Sequence, residues 1–409
     1  MADSKKDPIQ LSDHFTYKRL LRFTLPSMGM MVFTSIYGVV DGYFVSNFVG
    51  KTPFAAVNLV FPLLMILATA GFMFGTGGSA IVAKAFGEGR AKEANESFSL
   101  FVYIAAGLGV VLAALGIAFM RPIAIVLGAK GELLENAVVY GRVILLALPF
   151  NILQVLFQSF FVTAEKPRLG LTVTLSSGVT NMVLDAALVL SLPVEYKFIG
   201  AAVATAMSQV IGGLVPLIYF GRRNDSLLRL GKPKLRWKVL LKACGNGSSE
   251  FTSNISMNLV GMLYNLQLIK YTGEDGVAAY GVMMYVSFIF AATFIGYSIG
   301  TAPIFGFHDG ARNLTELKSL LKKSLILTGA MGIAMVGVGQ LLTVPLAALF
   351  VGYDRELMDL TVSGFRIFVL SFPFMGYAIF GSGFFTALND GITSAIISLL
   401  GRFPQARRS

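Results

Sequence analysis

Acidic residues in apolar surroundings are the side chains of this sequence that could do chemistry. Asp41 lies in "SIYGVVDGYFVSNFVG", residues 35–50, a run of apolar, small and aromatic residues with no Lys or Arg before Lys51. Of 22 acidic residues, only Asp41, Asp185 and Glu250 fall well inside long apolar runs. An ionised carboxylate is costly in hydrocarbon, so a chain that keeps one there turns it toward a partner, a cavity or a transported ion. Tyr37 and Asp41 are spaced i, i+4, and so are Asn181 and Asp185. On a helix that spacing puts the polar groups of each pair on one face. If the two faces meet, two carboxylates, an amide and a phenol share a dry pocket. Neighbouring carboxylates in such a pocket hold a proton between them far more readily than in water. The same oxygens suit a small hard cation such as Na⁺, and the spacing does not choose between the two ions.

Other residues complete the candidate set. Gln154 and Gln158, again i, i+4, are expected to line a substrate cavity or to hydrogen-bond between helices. Glu250, in the polar, glycine-broken stretch "CGNGSSEFTSN", is a second acidic candidate. Pro26, in "FTLPSMG", is expected to weaken or kink the helix that carries Asp41. Seventeen Met and 34 Phe offer any cavity a soft aromatic lining suited to bulky apolar cations. A single cysteine, Cys244, excludes an internal disulfide and a cysteine-based metal cage. The only histidines, His14 and His308, make no zinc-protease motif, and no Asp-rich Mg²⁺ motif is present, which argues against a membrane enzyme. No cofactor is expected beyond the coupling ion, and no metal beyond Na⁺ at Asp41, Asn181 and Asp185.

The elements that position these residues are membrane spans. With 55% hydrophobic and 13% charged residues and a mean hydropathy of +0.72, the chain has too little polar surface for a soluble globule of 409 residues. Its continuous, non-alternating apolar runs predict an all-α polytopic membrane protein. Ten full spans are expected near 20–46, 55–85, 97–120, 136–163, 170–192, 198–220, 240–269, 276–306, 322–350 and 359–387, with a partial eleventh from Ile392. The net charge of +11 resides mostly on alternate loops: 22 Lys and Arg fall on one face and eight on the other. That distribution fits topology rather than nucleic-acid binding and puts the N-terminus in the cytoplasm. The richest cluster, "GRRNDSLLRLGKPKLRWK", reads as a cytoplasmic linker. No removable signal peptide is expected at the N-terminus.

Comparison of the chain with itself reveals a duplication. "RVILLALPFNILQVLFQSFF" from Arg142 recurs as "RIFVLSFPFMGYAIFGSGFF" from Arg366, pairing Pro149 with Pro373. "GGSAIVAKAFGEGRAKEA" from Gly77 has a weaker echo from Ile299. The expected organisation is an N-terminal bundle over 1–220, a basic linker over 221–238 and a C-terminal bundle over 239–409. An even number of spans per copy gives both copies one orientation, with a pseudo-twofold axis along the membrane normal and alternating access between them. Glycine-rich spots such as "GTGGSA" (75–80) predict close helix contacts.

These stretches carry a resemblance. "LPSMGMMVFTSIYGVVDGYFVS", "GSAIVAKAFGEGRAKEA", "SSGVTNMVLDAALVL" and the paired "LPF"/"FPF" spans make the chain similar to multidrug and toxic compound extrusion (MATE) transporters, in their bacterial DinF-like and MepA-like branch. The resemblance implies two six-helix bundles in a V. It also implies export of lipophilic organic cations across the bacterial cytoplasmic membrane in exchange for H⁺ or Na⁺. By motif match the coupling residues are Asp41, Asn181 and Asp185, with Tyr37 nearby, while Glu250 matches a seventh-span acid of other branches. The implied partners are small cationic molecules and the bilayer, with the chain acting as a monomer. Against the family's twelve spans, "AIISLLGRFPQARRS" predicts an incomplete second bundle, and an inactive truncated fragment is one alternative. A lipid-linked oligosaccharide flippase is the other, disfavoured because few basic residues lie mid-span.

Overall fold

In the computed structural model every regular element of the described residues, 9–49, 51–352 and 354–400, is an α-helix. Some helical side chains, including those at 250, 254–260 and 272–275, lie outside the described residues. Lipid offers the backbone no partners, so each apolar run satisfies its own N–H and C=O groups as a helix. Helices α1 (Tyr17–Phe48), α2 (Lys51–Gly87), α3 (Ala91–Val126), α4 (Gly131–Thr163), α5 (Pro167–Ser191) and α6 (Val194–Gly221) form the first lobe. The second lobe contains α7 (Trp237–Gly310), α8 (Leu314–Val351), α9 (Arg355–Val369), α10 (Phe372–Ala387) and α11 (Gly391–Leu400). Among the described residues eight segments are long and apolar enough to cross a membrane, or nine if the bent pair α9–α10 is one span.

The 74 helical residues of α7 cover two expected spans. Straight, they would reach roughly 110 Å. Instead, the rings of Tyr264 and Tyr280 stack 5.4 Å apart, and both ends of α7 lie beside α2, with Gly247 on Met73 and Gly310 on Lys84. The chain therefore turns back on itself between the two tyrosines, where a loop was expected. The expected continuous span 359–387 is corrected: α9 and α10 meet at 48°, and α10 begins with Pro373 in its first turn. Proline has no N–H to continue a preceding helix, so the break falls just before it.

Contacts repeat between the lobes with an offset of about 223 residues. In the first lobe Gly109 packs on Pro149 and Gly116 on Leu145; in the second, Gly332 packs on Pro373 and Gly339 on Val369. Helix ends match as well. Arg90 N–H closes on Ala85 C=O as Asn313 N–H does on His308, and Lys166 N–H closes on Phe161 C=O as Asp390 N–H does on Phe385. Each of these ends has a left-handed residue, Gly89 and Arg312 in one pair, Glu165 and Asn389 in the other.

The seam between the lobes is reciprocal. A Cβ on Gly87 would run into the Phe307 carbonyl, and one on Gly310 into the Lys84 carbonyl. Gly77 likewise meets Ala243 and Gly247, while its counterpart Gly300 meets Thr24. Reciprocity of this kind is what a twofold axis between two copies requires. Gly38, Gly42, Gly261 and Gly281, in the halves farther from the basic loops, have nothing within 4 Å. The lobes thus touch at the basic end and diverge at the other, as a V.

Two chain segments clasp the basic end. Residues 9–16 form a strap whose Leu11 and Phe15 are fully buried. Leu11 N–H donates to Glu165 Oε1 (2.6 Å) on the first lobe. Phe15 N–H donates to Glu316 Oε1 (3.0 Å), and Lys323 Nζ donates to the Phe15 carbonyl (2.5 Å), both on the second. Lys84 and Asp309 add an ion pair of 2.7 Å across the seam. The basic linker is also fixed: Arg229 N–H donates to Asn95 Oδ1 (2.7 Å), Gly231 N–H to Ser99 Oγ (3.0 Å), and Arg236 pairs with Glu93 and Glu96 of α3.

Candidate functional site

Small residues bring the acid-bearing helices together. A Cβ on Gly178 of α5 would collide with the rings of Phe33 and Tyr37 of α1. That close approach sits one helical turn before Asn181, so it sets the face of α5 that bears Asn181 and Asp185 against the face of α1 that bears Tyr37 and Asp41. Gly212 and Gly213 of α6 lie against Gln154 and the Phe150 backbone of α4, and Gly200 lies under Leu188 and Leu192 of α5. Helix α6 is thereby drawn against both α4 and α5.

The two expected pairs do meet. Asp41 faces Asp185, Thr205 and Asn181, and Thr205 Oγ1 donates to Asp41 Oδ1 at 3.1 Å. Asp185 is 0% and Asn181 1% exposed. Neither the Asp185 carboxylate oxygens nor the Asn181 amide atoms have a hydrogen-bond partner among the described residues. Tyr37 and Tyr140 stand near Asp41, and Tyr140 near Asp185 too. The Tyr140 ring is held by stacking on Phe198, 5.5 Å between centroids. Gln154 lies beside Tyr37 and donates to Ser177 Oγ (3.4 Å), which donates to the Ser208 carbonyl (2.7 Å). Gln154 is therefore part of the structure around the acids, and Gln158 is buried one turn further along α4. The Glu250 side chain lies outside the described residues. Pro26 sits within α1 without breaking it, although its ring leaves the carbonyl four residues earlier without a helical partner.

Thr205 and Tyr140 are the members that sequence reasoning missed. Both come from helices with no acid at that depth, and a threonine or tyrosine in an apolar run carries no signal of its own. Tyr140 does recur at 3.6-residue spacing with Ile144 and Ala147 on the buried face of α4, the one available hint.

The electrostatics limit what this cluster can do. Among the described residues, none of the groups facing Asp41 is basic. Two like charges about 4 Å apart repel by about 4 kcal/mol even at an effective dielectric of about 20. Desolvation of an ion adds several kcal/mol. Two ionised acids here need a compensating positive charge.

The comparisons agree with this architecture. The family described as MatE matches residues 26–187 and 251–403. The "Multidrug export protein MepA" of Staphylococcus aureus (strain NCTC 8325 / PS 47) is 26% identical over 392 residues, covering 94% of this chain and 84% of that protein. The MepA of Staphylococcus haemolyticus (strain JCSC1435) is 28% identical over 314 residues, covering 76% and 68%. Among solved structures, "MATE in complex with MaL6" superposes with a TM-score of 0.88 at 22% identity, over 97% of this chain and 88% of that one. An outward-facing multidrug resistance MATE family transporter of the MOP superfamily also gives 0.88, at 21% identity, over 96% and 87%. With two matched halves that take up most of its length, folded as two lobes of membrane-spanning helices, this chain belongs to the MATE family and is a multi-pass membrane transporter rather than an enzyme.

Proposed function

We propose that the chain is a secondary antiporter that expels lipophilic organic cations from the bacterial cytoplasm in exchange for H⁺ or Na⁺. Its coupling site is Asp41 and Asp185, with Asn181, Thr205 and Tyr37 around them. The observation that carries this reading is the meeting of two acids, Asp185 fully buried, with no base beside Asp41 and no hydrogen-bond partner for Asp185 or Asn181 among the described residues. Such a cluster exchanges one small cation for another state at low cost, as a coupling site must. The V, closed at the basic end and open at the other, supports an outward-facing state in which the site loads from outside. The multidrug export for which the MepA relatives are named supports the class of cargo. The basic loops support a cytoplasmic N-terminus, and we take the chain as a monomer with the path between its two lobes.

The test is accumulation of a fluorescent cationic dye in efflux-deficient bacteria expressing this chain or Asp41→Asn at matched membrane levels. Lower accumulation with the native chain alone is expected; equal export by Asp41→Asn would remove Asp41 from coupling. In proteoliposomes, a Na⁺ gradient at constant pH against a pH gradient without Na⁺ identifies the ion.

A further inference from the structure

At the basic end of the first lobe, the end of α6 and the start of the linker line an open pocket of about 790 Å³, formed by Val215, Ile218, Tyr219, Arg222, Arg223, Asn224, Asp225 and Arg229. We infer that this pocket is a binding site for an anionic phospholipid, with the headgroup phosphate held by Arg222, Arg223 and Arg229 and an acyl chain lying along Val215 and Ile218.

Three observations carry the inference. First, the pocket has two chemistries in the order a lipid needs. Val215 and Ile218 are 44% and 43% exposed on the last turns of a membrane span, and the arginines follow where that span ends. A free phosphate would use the arginines and leave the apolar wall without purpose.

Second, the charge is available. Lys166 neutralises Asp225 at 2.9 Å, and this hydrogen bond, with Lys166's charge, holds the Asp225 carboxyl below its ordinary range. Among the described residues neither Arg222 nor Arg223 has an acidic partner, and both are exposed. Arg229 spends one guanidinium nitrogen on the Asn224 carbonyl (2.5 Å), leaving further N–H donors for an anion.

Third, the wall is rigid. Leu230 N–H returns to the Phe220 carbonyl (2.8 Å), Leu228 is fully buried, and Asn95 fixes both Leu227 and Arg229. A disordered basic linker would need no such anchoring to obey the charge rule for topology. The site lies outside the carboxylate cluster and is independent of cargo and coupling ion.

Native mass spectrometry of the full chain released from detergent tests the assignment, with phosphatidylglycerol, cardiolipin, phosphatidylcholine and inorganic phosphate as separate probes. Adducts with the two anionic lipids are expected, and roughly a hundredfold weaker binding in the Arg222→Ala/Arg223→Ala/Arg229→Ala variant, at about fivefold per arginine near a membrane surface. A control with Lys318→Ala and Lys322→Ala, basic residues of the other lobe, retains the native adducts. Ile218→Ser, which keeps every arginine, weakens lipid binding and not phosphate binding, and it carries the test if the triple variant fails to fold. Equal adducts with phosphatidylcholine, unchanged adducts in the triple variant, or phosphate binding as tightly as lipid would each overturn the proposal.

Discussion

The two lobes share a backbone plan and differ in what they do with it. In the first, α4 runs unbroken through Pro149; in the second, the matching segment splits at Pro373 into α9 and α10. Both prolines receive a glycine of the preceding helix, Gly109 or Gly332, against the ring, so the local contact does not decide the outcome. The surroundings do. Helix α4 is packed by α2, α3 and α6 and buries most of its length, whereas Ile367 and Phe374 flank the second break at 73% and 74% exposure. Chain packed on several sides holds a helix together across a missing hydrogen bond; a helix facing outward lets it open.

The chemistry diverges more sharply. By the offset of the seam contacts, the place of Asp41 in the first lobe belongs to Tyr264 in the second, and Tyr264 stacks on Tyr280. Where the first lobe buries carboxylates, the second buries hydroxyls: Ser382, Ser394, Ser398 and Thr386 bond to one another at 2.7–2.8 Å. Those hydroxyls satisfy themselves; Asn181 and Asp185 do not. Among the described residues, duplication kept the packing in both copies and left an unpartnered acid, Asp185, in the first.

The largest expected effect separates the lobes by function. Asp185→Asn should reduce dye efflux in proteoliposomes to the rate of empty vesicles, while Tyr264→Phe, at the place of Asp41, keeps it. Efflux lost equally in both would mean that the second lobe carries coupling as well. Next comes the seam. Gly87→Val puts a side chain into the Phe307 carbonyl and should cost about 3 kcal/mol, read as a lower melting temperature in detergent. Gly38→Ala, in open space, should gain up to about 1 kcal/mol of helix stability.

A smaller change is expected at the prolines. Pro373→Ala should straighten the 48° bend, lengthening the distance between spin labels at the far ends of α9 and α10 by about 4 Å for two arms of this length. The same substitution at Pro149 should leave α4 unchanged.

The smallest effect concerns the strap. Burial pushes the Glu165 carboxyl up, the Leu11 N–H opposes it, and Asp13 and Lys166 add a raising and a lowering contribution. With its folded value above the unfolded one, Glu165 binds more protons when folded. Its contribution is therefore fully present below the unfolded value and is lost as pH rises through the folded one. Protease cleavage within residues 9–16 should quicken over that rise in the native chain. Glu165→Gln should remove that quickening from the pH profile, leaving only the dependence due to Glu316 and His14.

Much of this was legible in the sequence. The spans, the repeat and the pairing of Tyr37–Asp41 with Asn181–Asp185 follow from apolar length, internal similarity and helical period. The glycines of "GTGGSA" indicated a close contact, and Gly77 makes one, although its partner Gly247 was not foreseeable. Thr205 and Tyr140 were hidden because their roles depend on how α6 and α4 are rotated, which packing decides. The linker read as a topological tether; its anchoring by Asn95 and Ser99 depends on two ordinary polar residues of α3 that have no marking pattern. The break before Pro373 was equally unreadable, since Pro149 sits in a similar apolar setting, "LPF" against "FPF", and has no break.

The seam glycines carry a mechanical consequence. Gly87, Gly310, Gly77 and Gly247 bring main chain against main chain, so at these four points the lobes meet without interlocking side chains. Interdigitated surfaces act like gear teeth: one cannot roll over the other without each tooth leaving its slot. A toothless stretch can roll, and the resistance to rocking then falls on what lies beside it: the apolar cluster that joins Phe23 and Met30 to Tyr297 and Phe305, the Lys84–Asp309 pair, and the strap held by Glu165 and Glu316. Of these, the polar fastenings are the ones that a single change of protonation or a single substitution can release.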